Sequence, residues 1–143
     1  MADKRQLANI PAMKTKLLFL FALSLIGTAT FAQSAKKDSV NVLSVEQFEK
    51  KSSKKNTLII DVRTPEEVSD GHLAQSINVN FLGEDFAQQI EVLNKKTTYL
   101  IYCRTGVKSR KAADLMQKTG FKHVYMLEGG ITAWKEAGKP TEK

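Results

Sequence analysis

The sequence predicts an α/β domain built on a parallel sheet with helices on both faces. Two runs carry that expectation. Thr57-Leu-Ile-Ile-Asp-Val62 and Thr97-Thr-Tyr-Leu-Ile-Tyr102 are almost continuously apolar or β-branched, as strands covered on both faces are. Around them the hydrophobic spacing switches to three and four residues and glycines punctuate the helical stretches, so strands alternate with helices along the chain.

Ordered structure is expected to begin near Val40. Ser44-Val-Glu-Gln47 matches a capping box, with serine at the N-cap and glutamine three residues on, and starts a short helix over Val45 to Lys51. Ser52 to Asn56 breaks it, and the first strong strand follows. Thr64-Pro65-Glu66-Glu67 then combines an N-cap, a proline at the first helical position and the reciprocal glutamate, giving a short helix that stops at Gly71. Ser76 to Asn80 alternates as a brief strand. Glu84 to Leu93 places Phe86, Ile90 and Leu93 on one helical face. After the second strong strand, Ser109 to Thr119 returns to helical spacing through Ala112, Leu115, Met116 and Thr119 and closes at Gly120. His123 to Met126 makes a further strand. Gly129-Gly130 turns the chain into a last helix over Ile131 to Ala137, ended by Gly138 with Pro140 beyond.

The 143 residues suit one ordinary domain. Ahead of it, Lys14 and Lys16 precede the ten-residue run Leu17 to Ile26, apolar except for Ser24, and Gly27-Thr-Ala-Thr-Phe-Ala32 supplies small residues before Gln33. A membrane span needs about 20 apolar residues. The basic start, short apolar run and small-residue exit instead describe a secretory signal over 13–32, preceded by an upstream segment 1–12 and followed by a polar linker 33–39, with the domain over 40–143. Export to a bacterial periplasm and no stable membrane anchor after cleavage are the expectations. Beyond residue 32 the balance is 18 basic against 14 acidic residues, a charge of +4 without interleaved aromatics, which argues against a nucleic-acid partner. A single cysteine excludes an intramolecular disulfide. With His72 and His123 the only histidines, no metal site is expected, and no glycine-rich phosphate fingerprint or ligand cluster calls for a cofactor.

Chemistry concentrates at Cys103, immediately past a buried strand. Cys103-Arg-Thr-Gly-Val-Lys-Ser109 leads from that strand into a helix, and ligands of parallel α/β sheets bind outside the carboxyl ends of the strands. The N–H groups of a tight loop and the positive end of the following helix form an anion cradle. With Arg104 and Lys108 beside it, the thiol is expected to be exposed, electropositive and activated as a nucleophile. A small buried hydrophobe is the competing expectation for a lone cysteine. A phosphatase-type loop would want Cys-x5-Arg, but Ser109 holds that position and Arg110 is one residue late.

Four stretches in order then resemble a single-domain rhodanese, a sulfurtransferase homology domain: Leu58-Ile-Ile-Asp-Val-Arg-Thr-Pro-Glu-Glu67, Gly71-His72-Leu73 with Ile77-Asn78, Tyr102-Cys103-Arg-Thr-Gly-Val-Lys-Ser-Arg110, and Leu127-Glu-Gly-Gly-Ile-Thr-Ala-Trp134. The resemblance implies a five-stranded parallel sheet flanked by helices and a persulfide on Cys103, with Arg104, Thr105, Gly106, Val107, Lys108 and Ser109 wrapping its outer sulfur. The implied activity moves sulfane sulfur from a small anionic donor such as thiosulfate to a thiol or cyanide acceptor, in a monomer. The alternative is a non-catalytic sulfur-carrier or anion-binding module acting with a protein partner. Lys108 stands where small members of the family often carry arginine, and Ala74-Gln75-Ser76 replaces their usual Pro-Gly, which bears on the turn there. Asp61 and Arg63, ending a strand beside the loop, are expected either to support it or bind substrate, or to form a structural ion pair. His72 is read as closing a turn, Trp134 and Phe121 as packing, and Glu128 as having no catalytic role.

Overall fold

The computed structural model describes residues 40–143, so the upstream segment, the signal and the linker expected over 1–39 lie outside the described residues. The elements run β1 (Asn41–Leu43), α1 (Val45–Ser52), β2 (Thr57–Asp61), α2 (Pro65–Ser69), β3 (Ser76–Asn78), α3 (Phe86–Glu91), β4 (Thr98–Tyr102), α4 (Val107–Lys118), β5 (Val124–Leu127) and α5 (Gly130–Glu136). The strands form one five-stranded sheet in the order β1-β5-β4-β2-β3, and every pairing is parallel. The expected fold class is therefore the observed one. Among the described residues no helix is long and apolar enough to cross a membrane.

The period of two along β4 divides the core. Tyr99, Ile101 and Cys103 point to one face, where Phe86 and Ile90 of α3 and Ala112, Ala113 and Met116 of α4 cover them. Leu100 and Tyr102 point to the other, against Phe48 of α1 and Ile131 and Trp134 of α5. Both capping boxes are present: Ser44 with Gln47 opens α1, and Thr64 with Glu67 opens α2. Gly120 and Gly138 end their helices at positive φ, as expected of left-handed terminators.

Several boundaries and burials differ from expectation. β1 was not separately expected; its three residues pair with β5 at the sheet edge. β2 is covered on both faces only toward its end, since Leu58 is 42% exposed. β3 stops at Asn78, two residues short of the expected end. α4 begins at Val107, two residues before Ser109, and its buried face runs through Ser109, Ala112, Ala113 and Met116, leaving Leu115 outside. The reason is that Gly106, at φ 104, already turns the chain into the helix.

Where β2 and β4 end, Asp61 is fully buried. Its carboxylate receives the Tyr102 hydroxyl at 2.6 Å and the Arg63 guanidinium at 2.6 Å, while Arg63 also donates to the Gly71 carbonyl at 2.8 Å. Burial disfavours the charge on Arg63, but its hydrogen bonds with Asp61 and that residue's charge outweigh this and raise its pKa. Burial, and then the neighbouring Asp61, push the Tyr102 phenol far above its ordinary value. The Tyr102 oxygen in turn accepts the Leu73 N–H at 3.0 Å. This network ties two adjacent strand ends to the corner at Gly71–Ser76. At that corner Gln75, within the stretch that replaces the family's Pro-Gly, takes the left-handed conformation, φ 61.

Two outcomes follow in urea denaturation. Tyr102→Phe leaves the Asp61 carboxylate and the Leu73 N–H short of a buried partner and should cost about 1–3 kcal/mol. Gln75→Gly relieves a left-handed side chain and should gain about 1 kcal/mol, so an unchanged or lowered midpoint would show the corner unstrained.

Candidate active site

β2 and β4 are neighbours, yet the chain leaving β2 goes on to β3 on one side and the chain leaving β4 goes on to β5 on the other. Their carboxyl ends thus form the switch point at which open α/β sheets leave a crevice. Cys103 is the first residue after β4. The loop Arg104–Gly106 carries it into α4, and the positive φ of Gly106 aims the first N–H groups of the helix back toward the sulfur.

The Gly106 N–H donates to Cys103 Sγ at 3.1 Å, and Ser109 Oγ lies 3.5 Å from the same sulfur. Ser109 Oγ also lies 3.1 Å from the Gly106 carbonyl, the alternative acceptor for its single proton when the sulfur is not a thiolate. Burial pushes the thiol pKa up, but hydrogen bonds from the Ser109 hydroxyl and from the N–H groups of Ser109, Gly106 and Thr105 outweigh it, so the net shift is downward. This corrects the sequence expectation on one point. Cys103 is 1% exposed rather than open to solvent; activation by the loop and helix N–H groups is as expected, with one hydroxyl added.

The remaining loop residues fall into distinct places. Arg104, Thr105 and Val107 are exposed, Gly106 and Ser109 are buried, and Lys108 is half-buried with Nζ 3.2 Å from Glu67 Oε2. Arg110 is exposed on α4, so the buried Ser109, and not a guanidinium, faces the sulfur. Asp61 and Arg63 form a buried ion pair, and their side-chain hydrogen bonds run to each other, to Tyr102 and to Gly71. His72 sits in the turn, with Nδ1 3.0 Å from the Leu73 carbonyl. Its backbone forms an antiparallel bridge with Glu142. Trp134 is buried and donates to the Pro140 carbonyl at 2.9 Å, and Phe121 packs edge-on against Tyr99.

Two supports of the loop were not foreseen. The first turn of α5 donates to it directly: Ile131 N–H to the Cys103 carbonyl at 2.9 Å and Thr132 N–H to the Arg104 carbonyl at 3.1 Å. A Cβ on Gly130 would lie 2.3 Å from the Cys103 carbonyl oxygen, so the second glycine of the pair is the condition for this approach. The Gly-Gly at a helix start was the available signal. The second is Glu67, expected only as a cap, whose carboxylate accepts the Thr64 N–H at 3.2 Å and Lys108 as well. Burial works against the charge on Glu67, but Thr64, Lys108 and the charge of Arg63 outweigh it and lower its pKa. Among the described residues no group of three His, Cys, Asp or Glu side chains is placed to hold a metal ion.

With this geometry in place, comparison with known proteins is specific. The family model described as the rhodanese-like domain matches residues 44–137. The thiosulfate sulfurtransferase GlpE of Shewanella oneidensis is 33% identical over 95 residues, covering 66% of this chain and 92% of that protein. The tRNA uridine(34) hydroxylase of Pelagibacter ubique is 33% identical over 101 residues, 68% of this chain, but the match spans only 33% of the hydroxylase's length. Among solved structures, a rhodanese-related protein from Thermoplasma volcanium aligns with a TM-score of 0.64 at 25% identity, covering 71% of this chain and 97% of that one.

Ser109→Ala removes the one side-chain donor to the sulfur. Thiolate formation, followed by ultraviolet absorbance against pH, should shift to higher pH, and alkylation of Cys103 at neutral pH should slow by about three- to tenfold.

Proposed function

The chain belongs to the rhodanese-like domain family, and we propose that it is a sulfurtransferase carrying sulfane sulfur on Cys103. The observation that carries this reading is the sulfur cradle: a buried thiol whose pKa is lowered by the Gly106, Thr105 and Ser109 N–H groups and the Ser109 hydroxyl.

The Cys103 thiolate attacks the outer sulfur of thiosulfate or a similar donor. The new Cys103 sulfur–sulfur bond forms as the donor's own sulfur–sulfur bond breaks, and sulfite leaves with the bonding pair. The product is a Cys103 persulfide anion whose outer sulfur is stabilised by the loop N–H groups, with Arg104 and Lys108 drawing the anionic donor to the loop. In the second half-reaction cyanide or an acceptor thiolate attacks that outer sulfur, leaving as thiocyanate or a new persulfide and returning the Cys103 thiolate. Neither half-reaction needs an external oxidant or reductant. Asp61 and Arg63 take no part in sulfur transfer on this reading; they hold the strand ends beneath the loop. The similarity to a thiosulfate sulfurtransferase over nearly its whole length supports this reading. The signal-like segment over 13–32 supports its operation after export, in a bacterial periplasm.

Intact-mass analysis after incubation with thiosulfate tests the mechanism. The expected outcome is a gain of one sulfur that is absent in Cys103→Ser and is discharged by cyanide as thiocyanate. No gain in a folded wild-type protein would remove thiosulfate as donor and favour a carrier that is loaded only by a protein partner.

A further inference from the structure

Glu67 and Lys108 face each other across the switch-point crevice, one in the first turn of α2 and the other in the first turn of α4, with 3.2 Å between Oε2 and Nζ. The carboxylate is not free to yield. The same Oε2 accepts the Thr64 N–H at 3.2 Å, while the Thr64 hydroxyl accepts the Glu67 N–H at 3.4 Å, so the capping box anchors it from two directions. Lys108 has the long flexible stem, and it is Lys108 that has come to the carboxylate. The pair is half-buried, with both side chains 27% exposed, so solvent screens it only in part.

An anion approaching the Cys103 loop therefore finds Arg104 exposed but Lys108 already paired. Held at Glu67, the Lys108 ammonium is kept from contact with an anion on the loop, and an attraction withheld in this way weighs twice as much on a dianion as on a monoanion. We infer that Glu67 is a specificity-determining residue that acts through Lys108: by holding the loop's lysine in an ion pair, it biases the site against dianionic donors such as thiosulfate and toward singly charged sulfane donors such as an alkyl persulfide anion. This rests on the proposal that the Cys103 loop receives an anionic sulfur donor.

Glu67→Gln tests it cleanly, because glutamine serves equally well as the third residue of a capping box. In full-length Cys103→Ser protein, which cannot accept sulfur, equilibrium binding of thiosulfate and of thiocyanate is measured with and without Glu67→Gln. Thiosulfate should bind about three- to tenfold more tightly in the Glu67→Gln protein and thiocyanate less than about twofold more tightly. The gain should disappear when Lys108→Gln is added, since the effect runs through that lysine. Equal changes for both anions, no tightening of thiosulfate, or a gain that persists without Lys108 would each overturn the inference. Persulfide formation by the wild-type protein reads the parent proposal separately. Sulfur gain without a Glu67 effect sinks only the selection, and a Glu67 effect without sulfur gain sinks only the thiosulfate reaction.

Discussion

A sulfur that is nearly sealed from water can carry negative charge only if fixed dipoles replace the water it has lost. That constraint organises the carboxyl end of this sheet. Burial alone would hold the Cys103 thiol protonated, and the net lowering of its pKa exists because backbone N–H groups and one hydroxyl converge on it. Convergence in turn demands a loop that reverses within three residues, which is why Gly106 adopts φ 104 and α4 starts where it does. The reversal must itself be held, and the first turn of α5 does this by binding the Cys103 and Arg104 carbonyls across Gly130.

The Asp61, Arg63 and Tyr102 cluster answers a different demand from the same place. Two adjacent parallel strands end side by side and send their chains in opposite directions, so their termini would otherwise splay. A buried carboxylate with donors from both chain segments locks them, and the Tyr102 hydroxyl passes the restraint on to Leu73. Because Tyr102 and Cys103 are consecutive, their side chains lie on opposite faces of the sheet. One residue anchors the strand end from below while the next presents sulfur on the other side.

What could be read from the sequence follows from how local each signal is. Both capping boxes, the helix stops at Gly120 and Gly138 and the strand ending at Tyr102 are encoded within a few residues, and they appear as expected. β1 escaped because three residues carry too little periodicity to mark a strand; its pairing with β5 depends on residues more than eighty positions away. The cysteine loop was legible as a cradle, but the closed environment of the sulfur was not, since burial is set by α4 packing over the strand end. Partners distant in the chain were likewise hidden. Nothing near Lys108 identifies Glu67 as its counter-charge, and nothing near Cys103 announces that Ile131 and Thr132 will hold its loop. The resemblance supplied the fifth strand that the residues read one by one had not.

The sheet also has consequences at its margins. β1 and β3, the two outermost strands, are three residues each, and the Asn41 side chain donates to the Val124 carbonyl beside the first of them. A foreign strand seeking open backbone partners finds only a short run on either flank, too brief to register a stable ladder. Among the described residues, the sheet thereby stays fully parallel and strongly apolar inside while its edges present little template for amyloid-like growth or chain-to-chain β-augmentation.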